Sequence, residues 1–330
     1  MEIDSTELRA NTKGIPENVQ TIIDFRLPYA VPLPDGLYEM KLDGKTADIV
    51  VKRVQITQIE GITGTGTAQI QFDKYGRSSF SSVSMKFPWK MDLEENGRKP
   101  LLLGDIPPRR KFKQTILRFL NRFIDAVRYS TQEYWVERAR YQDILSYNVS
   151  YWDGKKRYPA GRMMIDTGVG GIRIGGKPFQ IKEEKLDELK EMLSKELPLD
   201  ASRIFLLNSK DACLQEDFRL AMIEGVAALE IVLYNFIKVQ GKNLDIAEKE
   251  LEEFIVKVGL TGNITIVMKA LSKDLEQIDK DTLRECTGAI RIRNKILHEG
   301  LMDVGSTDTE KRILVIEKMV DYLRRITPAS

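Results

Sequence analysis

The chain has a single histidine, His298, and only two cysteines, Cys213 and Cys286, in 330 residues. A multi-histidine metal centre and a histidine-rich catalytic site are thereby excluded, and two cysteines cannot build a disulfide framework. Long apolar runs are missing as well: none approaches the ~20 residues that span a bilayer. The start, Met1-Glu2-Ile3-Asp4-Ser5, lacks the basic residues and apolar stretch of a secretory signal. Charge of one sign is also absent. Lys and Arg number 51 against 49 Asp and Glu, a net of +2, so any attraction for nucleic acid must come from local patches. These absences predict a cytoplasmic protein with no membrane partner. What is present is ordinary: 42% apolar and 30% charged residues, enough for a packed core and long enough for two domains.

The first half reads as mostly strand. Residues 1–18 are polar, a loose arm. Thr21–Leu27, Leu37–Leu42, Ala47–Ile59, Thr67–Phe72 and Phe80–Phe87 have strand character, separated by turn signals such as Asp43-Gly44 and Gly61, Gly64 and Gly66. Imperfect alternation through Ile49, Val51, Val54, Ile56 and Ile59 predicts a bulge near Lys52-Arg53. Together these strands predict an antiparallel sheet or small barrel. After Pro107-Pro108, residues 109–128 switch to helical spacing through Phe112, Ile116, Phe119, Leu120, Phe123 and Val127. The other side of that helix is basic, and Arg118 and Arg122 on it are candidate RNA contacts. Tyr141–Trp152 and Met163–Ile174 read as extended. The helix at Glu183–Leu197 is stopped by Pro198, which sets a domain boundary. Residues 1–198 are then a β-rich region with one or two helices.

Residues 199–330 read as all helix. Asp211 caps a long helix running to about Val239, with Leu214, Phe218, Met222, Val226, Leu229, Leu233 and Phe236 on one face and Gly241 just past its end. Further helices are expected at Asp245–Val258, stopped by Gly259, at Ile264–Leu271, from Asp281 to near Gly300, and at Asp308–Ile326. The fourth carries Leu283, Ile290 and Leu297 seven apart. The pattern is an up-and-down bundle, and the fold class is α+β.

The densest chemistry lies at the end of the fourth helix, Arg291-Ile292-Arg293-Asn294-Lys295-Ile296-Leu297-His298-Glu299-Gly300. Asn294 and His298 are four apart and share a face. The helix terminus carries partial negative charge, which favours an imidazolium. A histidine that titrates near neutrality beside a permanent cation suits proton transfer at a phosphodiester, and the arginine can stabilise the phosphorane charge. On residue types alone, the same stretch also describes a helix end with a capping histidine and a solvated arginine.

Arg293-Asn294 followed by His298 resembles the signature of the HEPN superfamily, an Arg with a polar follower and a His four to six residues beyond. Arg291 fits the longest spacing but lacks the polar follower. The helix through Asp217-Phe218-Arg219-Leu220-Ala221, Glu224 and Ala228-Leu229-Glu230 is similar to the first helix of that family. The resemblance covers about residues 205–326. It implies a metal-independent ribonuclease in a toxin or antiviral-defence setting, with RNA as substrate, no cofactor and a homodimer through the bundle. It implies His298 as general acid or base, Arg293 as phosphate holder, Asn294 as an orienting group and Glu230, on the facing helix, as a supporting partner. The first 198 residues would then contact an antitoxin or trigger. Members without activity imply an alternative, a non-catalytic dimeric module that binds a nucleotide or partner.

Other candidates are weaker. Thr167–Lys177 is glycine-rich, but Gly176-Lys177 is followed by Pro178, which breaks the phosphate-loop spacing, so a glycine hairpin is expected. Trp89, Trp135 and Trp152 read as core or rim. No cysteine or histidine cluster marks a metal site, and Cys213 and Cys286 read as small buried residues.

Overall fold

The computed structural model describes residues 15–27, 29–55, 79–91, 111–140, 147–163, 181–271 and 279–327. The chain divides into two compact units, Met1–Pro198 and Leu199–Ser330.

In the first unit six strands, β1 Gln20–Leu27, β2 Gly36–Leu42, β3 Lys45–Gln55, β4 Ser79–Phe87, β5 Tyr147–Trp152 and β6 Arg157–Met163, form one open antiparallel sheet in the order β2-β3-β4-β1-β5-β6. Side chains alternate across it. Ile23, Phe25 and Leu27 of β1 are buried beside Val83 and Met85 of β4 and Tyr147 and Val149 of β5, while Arg26 is exposed. Helix α1, Lys111–Thr131, covers the apolar face. Phe119 meets Phe87 edge-on and Phe123 meets Tyr38. The Asp43-Gly44 hairpin has positive φ at both residues, the backbone that a two-residue turn of this hand requires. Arg118 of α1 pairs with Asp43, and Glu196, just beyond helix α2 (Glu183–Ser194), accepts the Asp43 amide at 2.6 Å.

Three expectations change here. Ile15 is buried, so the end of the arm expected over residues 1–18 is packed. Pairing of β3 with β4 runs unbroken through Lys52 and Arg53, and no bulge occurs there. The irregularity lies instead between Val149 and Ser150, where β5 meets β6 near Pro159. β6 is an edge strand, where a proline costs no ladder bond with a second neighbour, and it starts at Arg157, well before Met163. The predicted strand Thr67–Phe72, the Gly61–Gly66 turn, the extended stretch beyond Met163 and the glycine segment 167–177 lie outside the described residues.

The second unit is helical: α3 Ala201–Leu214, α4 Phe218–Asn243, α5 Glu248–Gly262, α6 Met268–Leu271, α7 Lys280–Asn294 and α8 Ser306–Ile326, with wide π turns at Asn263–Val267 and Lys295–Glu299. The long helix predicted from Asp211 is two helices. Asp200 caps α3 by accepting the Ser202 amide, and Asp217 caps α4 by accepting the Leu220 amide. Glu216 takes a left-handed φ of 61° between them, a conformation that non-glycine residues rarely adopt. Leu214 is therefore exposed and not part of the core face. Gly241 lies inside α4, and its missing Cβ makes room for Leu251. Gly259, with φ 71° and ψ 168°, breaks α5 where a helix end was expected. The Asn263 side-chain amide donates to the Ile255 carbonyl across that break.

Helix α4 is the centre of the unit. Met222, Val226, Leu229, Leu233 and Phe236 are buried against Ile290 of α7 and Ile316, Met319 and Val320 of α8. Two stretches, Phe218–Asn243 and Glu248–Leu271, are long and apolar enough to cross a membrane. The first is this core helix, and the second is interrupted at Gly259.

Close approach of α3 to α4 depends on Gly225. A Cβ there would lie 2.9 Å from Ser209 Oγ, whose hydroxyl donates to the Ala221 carbonyl at 2.6 Å. Gly225→Ala should lower stability by about 1–3 kcal/mol through overpacking, read as a lower urea midpoint of the helical unit. Adding Ser209→Ala should recover part of the loss. An unchanged midpoint for Gly225→Ala would contradict the crossing described.

Candidate functional site

Helix α7 positions the candidate residues. Asp279 caps its start by accepting the Thr282 amide and hydroxyl, hydrogen bonds that hold its carboxyl below the usual range. Leu283, Cys286, Ala289 and Ile290 anchor the helix in the core. Burial pushes the Cys286 thiol to about 12 and the Cys213 thiol to about 11, which keeps both protonated.

The helix ends in the wide turn Lys295–Glu299, closed by Gly300 in the left-handed conformation, with the Gly300 and Leu301 amides both donating to the Lys295 carbonyl. In an α-helix, residues five apart sit about 140° apart around the axis and residues four apart about 40°. A π turn advances less per residue around the axis, so the residues within it are rotated from the positions a continued α-helix would give them. The same rotation explains Leu297. The seven-residue spacing places it in the core, but it is 48% exposed, and Ile296 is buried instead.

Arg293 is half-buried and fixed from two sides. Nη1 donates to Asn294 Oδ1 at 3.1 Å, and Nη2 lies 3.7 Å from Glu230 Oε2 on α4. Its Nε is out of solvent and has no acceptor among the described residues. A buried donor left unsatisfied costs about 1–3 kcal/mol, and an oxyanion docking along the Nε–Nη2 edge would relieve that cost through a bidentate contact. His298 is exposed and makes no hydrogen bond or ion pair among the described residues. Arg293, Asn294 and Glu230 are thus brought into contact, and no hydrogen bond or ion pair joins His298, exposed in the turn that follows, to any of the three.

The sequence reading did not single out the next turn of α4. Tyr234 donates to Glu252 Oε1 at 3.3 Å, and the Lys238 ammonium sits 4.9 Å from the Tyr234 ring. Lys238 also bridges Glu248 and Glu252 of α5, at 2.8 and 2.7 Å, and these carboxylates raise it above the usual lysine range. Spacing of four from Glu230 to Tyr234 to Lys238 was the available signal. Arg118 and Arg122 belong to the first unit. Arg118 pairs with Asp43, and Arg122 donates to the Leu197 carbonyl, so both have intramolecular partners. Among the described residues, no three His, Cys, Asp or Glu side chains converge as they would around a metal ion.

Comparison with protein-family models, with curated proteins and with solved structures finds no match to this chain.

The Arg293–Glu230 pair is partly exposed on both sides, 27% and 49%, and such pairs contribute at most ~1 kcal/mol. Glu230→Gln should therefore shift the urea midpoint of the helical unit only slightly. A loss well above that would assign Glu230 to holding the fold.

Proposed function

We propose that this protein is a metal-independent endoribonuclease of HEPN type that cleaves RNA by attack of the ribose 2′-OH. The observation that carries the reading is Arg293 held by Asn294 and Glu230 at a helix end, with the chain's only histidine five residues further on, exposed in the π turn that ends the helix. In this reading His298 takes the 2′-OH proton or delivers one to the leaving oxygen. The 2′-oxygen attacks phosphorus, and the bond to the 5′-oxygen breaks. Arg293 stabilises the charge that develops on the non-bridging oxygens. Asn294 fixes the guanidinium, and Glu230 holds it until phosphate takes its place. One chain supplies one histidine, whereas the reaction uses a base and an acid. A homodimer through the helical unit would join two motifs in one cleft. The setting that goes with this chemistry is cytoplasmic, a toxin or antiviral-defence nuclease whose first unit binds an antitoxin or trigger. Arg118 and Arg122 remain proposed RNA contacts, which requires RNA to displace Asp43 and the Leu197 carbonyl.

A second reading is a non-catalytic dimeric module that binds a nucleotide or partner at the same helix end. The Glu230 contact favours it, because an arginine already holding a carboxylate is suited to exchanging one anion for another.

The purified protein is to be incubated with labelled RNA. His298→Ala should lower the cleavage rate at least ~10²-fold with the fold intact, and Arg293→Lys should also be impaired, because lysine lacks the fork for two phosphate oxygens. Glu230→Gln should lose less than Arg293→Ala. Cleavage should persist in EDTA and spare DNA. Wild-type rates for His298→Ala, or activity lost in EDTA and restored by magnesium, would overturn the proposal.

A further inference from the structure

Glu230, Tyr234 and Lys238 follow one another at spacings of four and so line one face of α4. Arg293 meets the first of them at 3.7 Å. At the other end of this stripe, about 12 Å along the helix axis, a second pair of donors already holds an oxyanion. Glu252 Oε1 of α5 accepts from the Lys238 ammonium at 2.7 Å and from the Tyr234 hydroxyl at 3.3 Å. Glu248, one turn earlier on α5, accepts from the same ammonium at 2.8 Å.

The charges there do not balance. One ammonium carries two carboxylates, and like charges four apart on a helix oppose each other. Glu285 is the reverse case, a mostly buried carboxylate held by both Lys311 and Arg312, the arrangement of a structural pair. Glu248 and Glu252 are 75% and 45% exposed, so both acids can turn out into water while Leu251 and Ile255 keep α5 seated in the core. What they leave is an ammonium beside a tyrosine hydroxyl, two donors converging on one oxygen position. That position lies on the face of α4 that carries the Glu230–Arg293 contact. A carboxylate oxygen stands there in place of a phosphate oxygen, and both accept charge-assisted hydrogen bonds from the same donors. A stacked strand carries one phosphate per ~3.4 Å of its axis, so about three or four nucleotides cover the stripe.

Resting on the endoribonuclease reading, we infer that Lys238 and Tyr234 form a second phosphate-binding site for the same RNA strand, and that Glu248 and Glu252 occupy it as internal competitors. Lys238 and Tyr234 touch substrate away from the cleaved bond and take no part in proton transfer. With both glutamates in place the cluster carries a net negative charge and repels a phosphate. With them displaced it is positive and binds one. The glutamates therefore set RNA affinity and its salt dependence, whereas Arg293 and His298 set the rate of cleavage.

The test uses the full chain and a fluorescent oligoribonucleotide with 2′-O-methyl groups throughout, which removes the nucleophile and separates binding from cleavage. Fluorescence anisotropy is measured across a salt series. Each phosphate contact on a single strand contributes ~0.7 to the slope of log K against log salt. The double variant Glu248→Gln/Glu252→Gln should tighten binding several-fold and steepen the slope by about that amount. Adding Lys238→Gln should cancel both gains. Glu250→Gln/Glu253→Gln removes the same charge from exposed positions of the same helix and should leave the slope unchanged. Glu248→Gln alone, at the more exposed of the two positions, should give part of the gain, and it replaces the double variant if circular dichroism shows that one to have lost helix. No gain in the folded variant, a gain that survives removal of Lys238, or an equal gain from Glu250→Gln/Glu253→Gln overturns the inference even if wild type cleaves RNA. A gain that depends on Lys238 in a protein that cleaves no RNA supports the second site and overturns the nuclease reading alone.

Discussion

The wide turn at Lys295–Glu299 is the constraint on which the candidate site depends. A continued α-helix would bury Leu297 beside Leu283 and Ile290. The turn gives up that apolar contact, exposes Leu297 and buries Ile296, and it holds His298 in the exposed end of the helix. Gly300 makes this geometry affordable, because the chain leaves the turn in a left-handed conformation that a side chain would oppose. The turn also lies directly after the anchored part of α7, so the core positions the backbone while the functional side chains stay at the rim.

Electrostatics decides how the arginine is held. Arg293 reaches a carboxylate at 3.7 Å and a neighbouring amide oxygen at 3.1 Å, yet keeps a buried Nε without an acceptor among the described residues. A guanidinium satisfied on every nitrogen would have little to gain from a phosphate. One held loosely by a partly exposed glutamate can exchange that contact for a better one. In the proposed mechanism this difference between the resting and loaded contacts is what makes Arg293 a phosphate group holder and not a structural ion pair. Tyr234, Lys238 and their glutamates continue the polar stripe along α4 and fix the neighbouring turn of the helix by direct hydrogen bonds.

Much of the architecture was legible in the residues. The Asp43-Gly44 turn, the apolar spacing of Ile116, Phe119, Leu120 and Phe123, and the stop at Gly259 each follow from backbone chemistry that the sequence displays openly. The break between α3 and α4 was hidden, because it falls at Glu216 and not at a glycine or proline, and Asp200 and Asp211 look equally able to cap. β6 was hidden by Pro159, which argues against a strand until the strand is known to be an edge. At the site, the contact between Glu230 and Arg293 was readable as helix facing helix. The turn was not, because an inserted residue leaves no mark beyond Leu297 and Gly300.

The central claim, that His298 and Arg293 promote attack by the 2′-OH, is tested most directly by the chemistry of the cut ends. Products of a defined RNA should be analysed by mass spectrometry after brief digestion. The account predicts a 2′,3′-cyclic phosphate on the upstream fragment and a free 5′-OH on the downstream one, formed by wild type and absent with His298→Ala. A 3′-OH paired with a 5′-phosphate would contradict it, because those ends require water as the nucleophile.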